Sequence, residues 1–176
     1  MPDSGRDTRA VVRAAQAGSP AAVEQLFDAH WAAAHRAAYL VVHDSAAAED
    51  IAQEAFLAAI RALDRFDRRR PFAPWLHRIV VNRAIDFARS RALRREVDAE
   101  RVPEPVGGTA PAGGVDYSDE LVAALAELPA EQRALIVMRH LLDYTPGEIA
   151  DLLELPRGTV NSRLRRGLDR LEELLR

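Results

Sequence analysis

The sequence contains no cysteine and no lysine. Without cysteine there is no disulfide framework, no thiolate metal site and no cysteine nucleophile. Without lysine, all 24 basic residues are arginine, a bias that GC-rich codon usage alone would produce given the abundance of alanine. No run approaches the roughly 20 apolar residues of a membrane span. The opening MPDSGRDTRAVV has no basic segment followed by an apolar one, so no signal peptide is expected. Strand-like alternation, Gly-rich hairpin turns, internal repeats and Gly-rich phosphate loops are all missing. The histidines at 30, 35, 43, 77 and 140 show no HExxH or ExxH spacing and no nucleophile partner. They are expected in the core or on the surface, with no catalytic residue, no metal ligand and no cofactor. These absences leave a soluble, cytoplasmic, helical protein that is not an enzyme and does not insert into membranes. Its 176 residues suffice for one domain or two small ones.

The most informative stretch present is Tyr144 to Leu171, which reads as a helix-turn-helix. Thr145 stands three residues before Glu148, with Pro146 at the first helical position, so a capping box starts the first helix. Ile149, Ala150 and Leu153 mark its apolar face, and Pro156 ends it because proline has no amide to continue the ladder. The second helix carries Val160, Leu164, Gly167, Leu168 and Leu171 on one side. Its other side presents Thr159, Ser162, Arg165 and Arg166, flanked by Asn161 and Arg163. That layout places a second helix in a DNA major groove, where arginine binds guanine edges and Thr or Ser reaches bases or phosphates. The competing reading is a helical hairpin with a solvated basic face.

In chain order, helices are expected over Thr8 to Ala17, from Ser19-Pro20 onward, from a Ser45 cap to about Phe66, and from about Pro74 to Arg95. The second has Val23, Leu26, Phe27, His30, Trp31, Ala34, Ala38 and Val41 as its inner stripe. The third turns Ala48, Ile51, Ala52, Ala55, Ala59, Leu63 and Phe66 inward. Residues 96–117, EVDAERVPEPVGGTAPAGGVDY, are rich in Pro, Gly and acid and read as a linker. As a flexible coil it would span about 25 Å, and fully extended about 70 Å, roughly two DNA turns. Ser118 caps a helix to about Leu128, and Pro129 opens another through Leu142. The fold class is therefore all-α, two small helical domains (1–95 and 118–176) on an acidic tether.

Charge is segregated within the first domain. Between Arg61 and Arg95 arginine occurs at 61, 65, 68, 69, 70, 78, 83, 89, 91, 94 and 95, against only Asp64, Asp67 and Asp86. Phe66, Phe72, Trp75 and Phe87 interleave with them. Arginine neutralises phosphate and aromatic faces stack unpaired bases, which suggests contact with melted nucleic acid. The alternative, a solvated basic helix over an aromatic core, is preferred for Phe66 and Phe87 and stays open for Phe72 and Trp75. Upstream, Asp50, Gln53, Glu54 and Leu57 recur on one helix face turned away from Ile51. An acidic face with an exposed leucine suits protein docking better than DNA, although a merely solvated face fits the pattern too.

Two segments carry a family resemblance. AEDIAQEAFLAAIRALDRF followed by FAPWLHRIVVNRAIDFARSR resembles region 2 of bacterial extracytoplasmic-function (group 4) sigma factors. LPAEQRALIVMRHLLDYTPGEIADLLELPRGTVNSRLRRGLDRL resembles their region 4. The resemblance implies a sigma factor that binds core RNA polymerase and directs promoter-specific initiation. Asp50, Gln53, Glu54 and Leu57 would dock on the clamp helices of the polymerase β′ subunit. The loop from Arg65 through Arg68, Arg69 and Arg70 to Phe72, with Trp75, would hold a flipped base of the downstream (−10) element. Arg78, Asn82, Arg83 and Asp86 would lie along that strand. Arg157, Thr159, Asn161, Ser162, Arg163, Arg165 and Arg166 would contact the upstream (−35) duplex, with the same domain touching the β flap. The implied partners are core polymerase, promoter DNA and, for control, an anti-sigma factor, with expression level as the alternative.

Two departures from the family pattern bear on function. Asn161 stands where members usually carry Lys or Arg, which favours adenine at the base it meets. Glu154 stands where the turn often holds Gly, at a cost of about 1 kcal/mol if its φ is positive. The last domain alone also resembles the helix-turn-helix of LuxR-type response regulators. Those would need an N-terminal sensor domain, typically α/β, and the helical, Arg-rich first half argues against one.

Overall fold

The structure is a computed structural model that describes residues 4–97 and 117–176. Residues 98–116, most of the expected linker, lie outside the described residues. Among the described residues there are eight α-helices and no strand. They are α1 (Ser4–Gln16), α2 (Pro20–Val42), α3 (Ser45–Ala62), α4 (Phe72–Val97), α5 (Asp119–Ala126), α6 (Ala130–His140), α7 (Pro146–Leu153) and α8 (Arg157–Leu174), with a 3-10 turn at Leu63–Arg65.

The helix starts follow from local chemistry. Ser19 Oγ accepts from the Ala22 amide and Asp44 Oδ1 from the Ala47 amide, each quenching a donor that the helix leaves unpaired. Ser45, expected as the third cap, is instead the first residue of α3, because the Asp44 carboxylate takes the role. At α7 the capping box is present: the Thr145 amide donates to Glu148 Oε2 at 2.7 Å and the Glu148 amide to Thr145 Oγ1 at 3.3 Å. α3 stops at Ala62 rather than Phe66, where the chain tightens into the 3-10 turn. There Gln16 Nε2, at the end of α1, donates to the Leu63 and Phe66 carbonyls. α4 begins at Phe72, two residues before the expected Pro74, since proline is tolerated in a first helical turn.

α2 is the hub, packed against α1, α3, α4, α5 and α6. Its expected inner stripe holds for Leu26, Ala34, Ala38 and Val41. Phe27 departs from it, lying 38% exposed at the rim between α2 and α3. The last turns depart in the other direction: Ala37, Ala38, Tyr39, Leu40, Val41 and Val42 are buried in succession. A helix buried all round must be covered on every side, and the extra cover here is α5 and α6 of the second bundle. The two helical units therefore meet along the end of α2.

One arginine is enclosed in that seam. Arg133 on α6 donates to the Val41 carbonyl at 2.6 Å and to the Leu128 carbonyl at 2.9 Å. Val41 lies in the last turn of α2, where carbonyls lack helical partners and the helix dipole favours a cation. Burial lowers the Arg133 pKa to about 10, so the guanidinium stays charged at neutral pH.

α8 crosses α6 closely at Gly167. A Cβ there would sit 2.9 Å from Ile136 Cδ1 and 3.3 Å from Gln132 Cβ. Gly167→Leu is expected to destabilise the protein by about 2 kcal/mol through overpacking. The check is a urea titration, in which the midpoint should fall with the slope unchanged; an unaltered midpoint would mean that α6 and α8 are not tightly apposed.

Candidate nucleic-acid and partner interfaces

The basic strip of the first bundle is organised by α4 and the loop before it. Arg65, Arg68, Arg69 and Arg70 are exposed. Asp67 shapes the loop, accepting from the Arg69 amide at 3.0 Å and pairing with the Arg69 guanidinium at 2.9 Å. The Arg69 hydrogen bonds hold the Asp67 carboxyl down at about 2. Beside the loop is a cleft of ≈ 590 Å³ lined by Arg65, Phe66, Arg70, Pro74, Trp75 and Arg78, and closed on one side by Asp151 and Leu152 of α7.

Phe72 corrects the sequence expectation. It is 1% exposed, edge-on to Phe66 and Trp75 with ring centroids 5.9 and 5.7 Å away, and 5.3 Å from the His30 ring. Opening α4 earlier than Pro74 turns Phe72 into the core, where it cannot reach a base. Trp75 is half-buried, stacks on Phe66 at 4.6 Å and lines the cleft. Phe66 is buried and Phe87 half-buried, as an aromatic core under a basic helix requires.

Further along α4, Asn82 and Asp86 are exposed, while Arg78 and Arg83 are half-buried and each holds a carboxylate. Arg83 pairs with Glu54 of α3 at 2.7 Å, and Arg78 with Glu154 beyond α7 at 2.6 Å. The Arg83 pair joins two residues that the sequence assigned to different surfaces. On α3 itself, Asp50, Gln53, Glu54 and Leu57 are all exposed on one side, Leu57 by 54%. Between α2 and α3, Phe27 stacks on Trp31 at 4.8 Å and lies 5.0 Å from the buried Phe56.

In the second bundle, α7 and α8 form the expected hairpin with Ile149, Ala150, Val160, Leu164 and Gly167 buried between them and α6. Asn161, Ser162, Arg165 and Arg166 face solvent, and Thr159 and Arg163 are half-exposed. Arg166 Nε folds back on the Ser162 carbonyl at 3.2 Å, and Arg165 lies 3.8 Å from Asp169. Arg157 is exposed but lies over Gly147, with its guanidinium 3.2 Å from where a Cβ would stand. Glu154 adopts φ 55 and ψ 41, the left-handed conformation that its position in the turn suggested.

Sequence reasoning missed the residues that join the bundles: Arg133 on Val41, Arg89 with Glu131 at 2.6 Å, and His77 Nδ1 at 2.7 Å from the Tyr144 hydroxyl. The only available signal was the unbroken apolar run AAYLVV at the end of α2, too long for a helix with one solvated face.

With this geometry in view, comparison with known proteins is direct. Residues 26–94 match Sigma-70 region 2 and residues 118–171 match Sigma-70, region 4. The chain is 35% identical over 170 residues to the ECF RNA polymerase sigma factor SigM of Mycobacterium tuberculosis (strain Erdman), covering 97% of this chain and 85% of that one. It is 34% identical over 141 residues to the ECF RNA polymerase sigma factor SigW of Bacillus subtilis (strain 168), covering 73% and 75%. Among solved structures, CnrH in complex with the cytosolic domain of CnrY superposes with a TM-score of 0.70 at 29% identity, over 95% of this chain and 96% of that one. The sigma factor RpoE of Bartonella quintana, solved with the anti-sigma factor NepR, shares the fold at a TM-score of 0.72 and 24% identity, over 86% and 95%. The matched pair of helical regions, in this order, defines the class. The chain belongs to the extracytoplasmic-function RNA polymerase sigma factors. Among the described residues, no helix is long and apolar enough to cross a membrane.

Two histidines, His77 buried and His43 half-buried, give the fold a pH dependence. Burial lowers His43 to about 4, with Arg133 nearby adding to the effect, and burial lowers His77 to about 4, with His30 adding. Below about 6.5 the unfolded chain takes up these protons, while the folded chain refuses them until about 4. Unfolding free energy is therefore expected to fall as pH drops from 6.5 toward 4. Urea unfolding at pH 7, 5.5 and 4.5 checks it, and equal stability at pH 7 and 5.5 would contradict it.

Proposed function

We propose that this chain binds core RNA polymerase and directs it to promoters by three surfaces of different chemistry. The acidic side of α3 (Asp50, Gln53, Glu54 and Leu57) docks on the polymerase β′ clamp. The exposed side of α8 (Thr159, Asn161, Ser162, Arg163, Arg165 and Arg166, with Arg157 at its start) enters the major groove of the −35 duplex. The loop from Arg65 to Arg70, with Trp75, Arg78, Asn82, Arg83 and Asp86, takes the opened −10 strand. Phe72 drops out of that set because it is core. The observation that carries the reading is the solvent-facing polar and arginine side of α8, which packs its apolar side against the capped α7 and α6.

Opening DNA this way needs no covalent step. A base leaving the stack costs a few kcal/mol, offset by phosphate contacts and by stacking in the cleft beside Trp75. Catalysis belongs to the polymerase, and this chain supplies the address. A regulatory partner of the anti-sigma kind fits the same reading, since CnrH and the Bartonella sigma factor were both solved with a second protein bound.

Run-off transcription with core enzyme on a genomic library tests the proposal and yields both promoter elements. Arg166→Ala is expected to lower −35-dependent initiation about tenfold while leaving core binding intact. Asp50→Arg is expected to weaken core binding about tenfold through a like-charge clash, with the duplex affinity of the second bundle unchanged. Equal loss of core binding in both variants would overturn this division of labour.

A further inference from the structure

The outward side of α8 is not uniform. Gly158, Asn161, Ser162 and Arg165 follow one another along it at steps of three and four residues, all of them exposed. Several polar groups on this side are engaged within the helix itself. Ser162 Oγ donates to the Thr159 carbonyl at 3.1 Å, Arg166 Nε to the Ser162 carbonyl at 3.2 Å, and Arg165 lies 3.8 Å from Asp169. Asn161 differs: among the described residues its carboxamide has no hydrogen-bond partner. Gly158, nearly one turn before it, is notable for what does not require it. Its backbone is not left-handed, and a Cβ built on it would meet no atom within 4 Å. At Gly167, by contrast, the same test meets Ile136 Cδ1 at 2.9 Å. Glycine and asparagine both weaken a helix, and the fold draws no packing or hydrogen bond from either of these two.

We infer that Asn161 is a specificity-determining residue: its carboxamide reads the edge of an adenine in duplex DNA, at a depth that the bare backbone of Gly158 permits. The inference rests on α8 entering the major groove, as proposed above. The chemistry of the side chain selects the base. Asparagine carries a donor and an acceptor on one short planar group, and adenine presents an N7 acceptor beside an N6 amino donor, so the pair closes two hydrogen bonds together. Guanine presents two acceptors there, which leaves the asparagine oxygen facing another oxygen or N7 without a proton between them. Reach explains the glycine. A side chain as short as asparagine meets a base edge only if the helix backbone comes close, whereas Arg165 spans a wider gap. With no side chain at 158, the first turn of α8 has that clearance.

The test uses the full chain with core polymerase, selecting from a promoter pool randomised over the upstream element, with base frequencies read position by position. The wild type is expected to select adenine at one position that answers to Asn161. Asn161→Ala should reduce that preference about tenfold at that position alone, and Asn161→Arg should exchange it for guanine. Gly158→Leu should weaken binding to the selected element about tenfold whatever base stands opposite Asn161, while its urea midpoint stays that of the wild type because the new side chain meets nothing within the protein. A selected element that keeps every base preference in both Asn161 variants, or wild-type affinity in Gly158→Leu, would overturn the inference and leave the groove assignment standing. A wild type that selects no upstream element at all would refute the placement of α8 in DNA, and the inference with it.

Discussion

The arrangement of the whole molecule depends on one enclosed charge. Arg133 sits where α2 ends and α6 begins to cross it; its Nη1 and Nη2 satisfy carbonyls at Val41 and Leu128, while its Nε is buried without a partner. A guanidinium taken from water is tolerated only when most of its donors find acceptors, and helix ends are where spare carbonyls occur. The apolar end of α2 supplies the burial and the arginine supplies the register. Sliding α6 along α2 would strand the guanidinium among Leu40, Val41 and Val42, so the seam has one good position rather than several. Everything on α7 and α8 inherits its placement from that contact.

Charge on the first bundle is balanced locally as well as segregated. Arg69, Arg83 and Arg91 hold Asp67, Glu54 and Asp44 of their own bundle, and Arg78 and Arg89 hold acids of the other. Only the Arg91–Asp44 pair is substantially buried, at 24% and 16% exposure. The remaining pairs are solvated and individually weak, typically below about 1 kcal/mol. They keep a strongly basic strip from repelling itself, yet they yield to a polyanion without disturbing the core. The formal net charge of −3 conceals this balance entirely.

Legibility in the sequence followed the locality of the physics. The caps at Ser19, Ser118 and Thr145, the helix-turn-helix and the exposed acidic side of α3 were readable because each is fixed by residues within a turn or two of itself, though the third cap fell to Asp44 rather than Ser45. Phe72 was not readable: its neighbours Arg70 and Pro71 are surface residues, and only the tertiary approach of α2 through His30 decides that the ring goes inward. Phe27 failed in the opposite sense, fitting the apolar stripe of α2 but only partly covered by α3, where Phe56 lies 5.0 Å away. The seam itself was hidden because a linker of 22 residues says how far two units can separate and nothing about whether they do. Its trace was the excess of apolar side chains at the end of α2, visible only as a violation of amphipathic spacing.

The burial of Phe72 changes the energetics proposed for strand opening. With that ring in the core, the cleft is lined by half-buried Trp75 and by buried Phe66 on which it stacks, so Trp75 is the more accessible aromatic there. Stacking a base on one aromatic contributes about 1–3 kcal/mol, which at best matches the few kcal/mol needed to extrude it. Base capture alone would therefore leave opening near balance. The surplus has to come from phosphates along Arg65, Arg68 and Arg70, a salt-dependent contribution, and from the polymerase that holds the duplex in place. Under the proposed function, a chain built this way would open DNA only in company: its cleft would retain a base, while the work of separating strands would be shared with the polymerase.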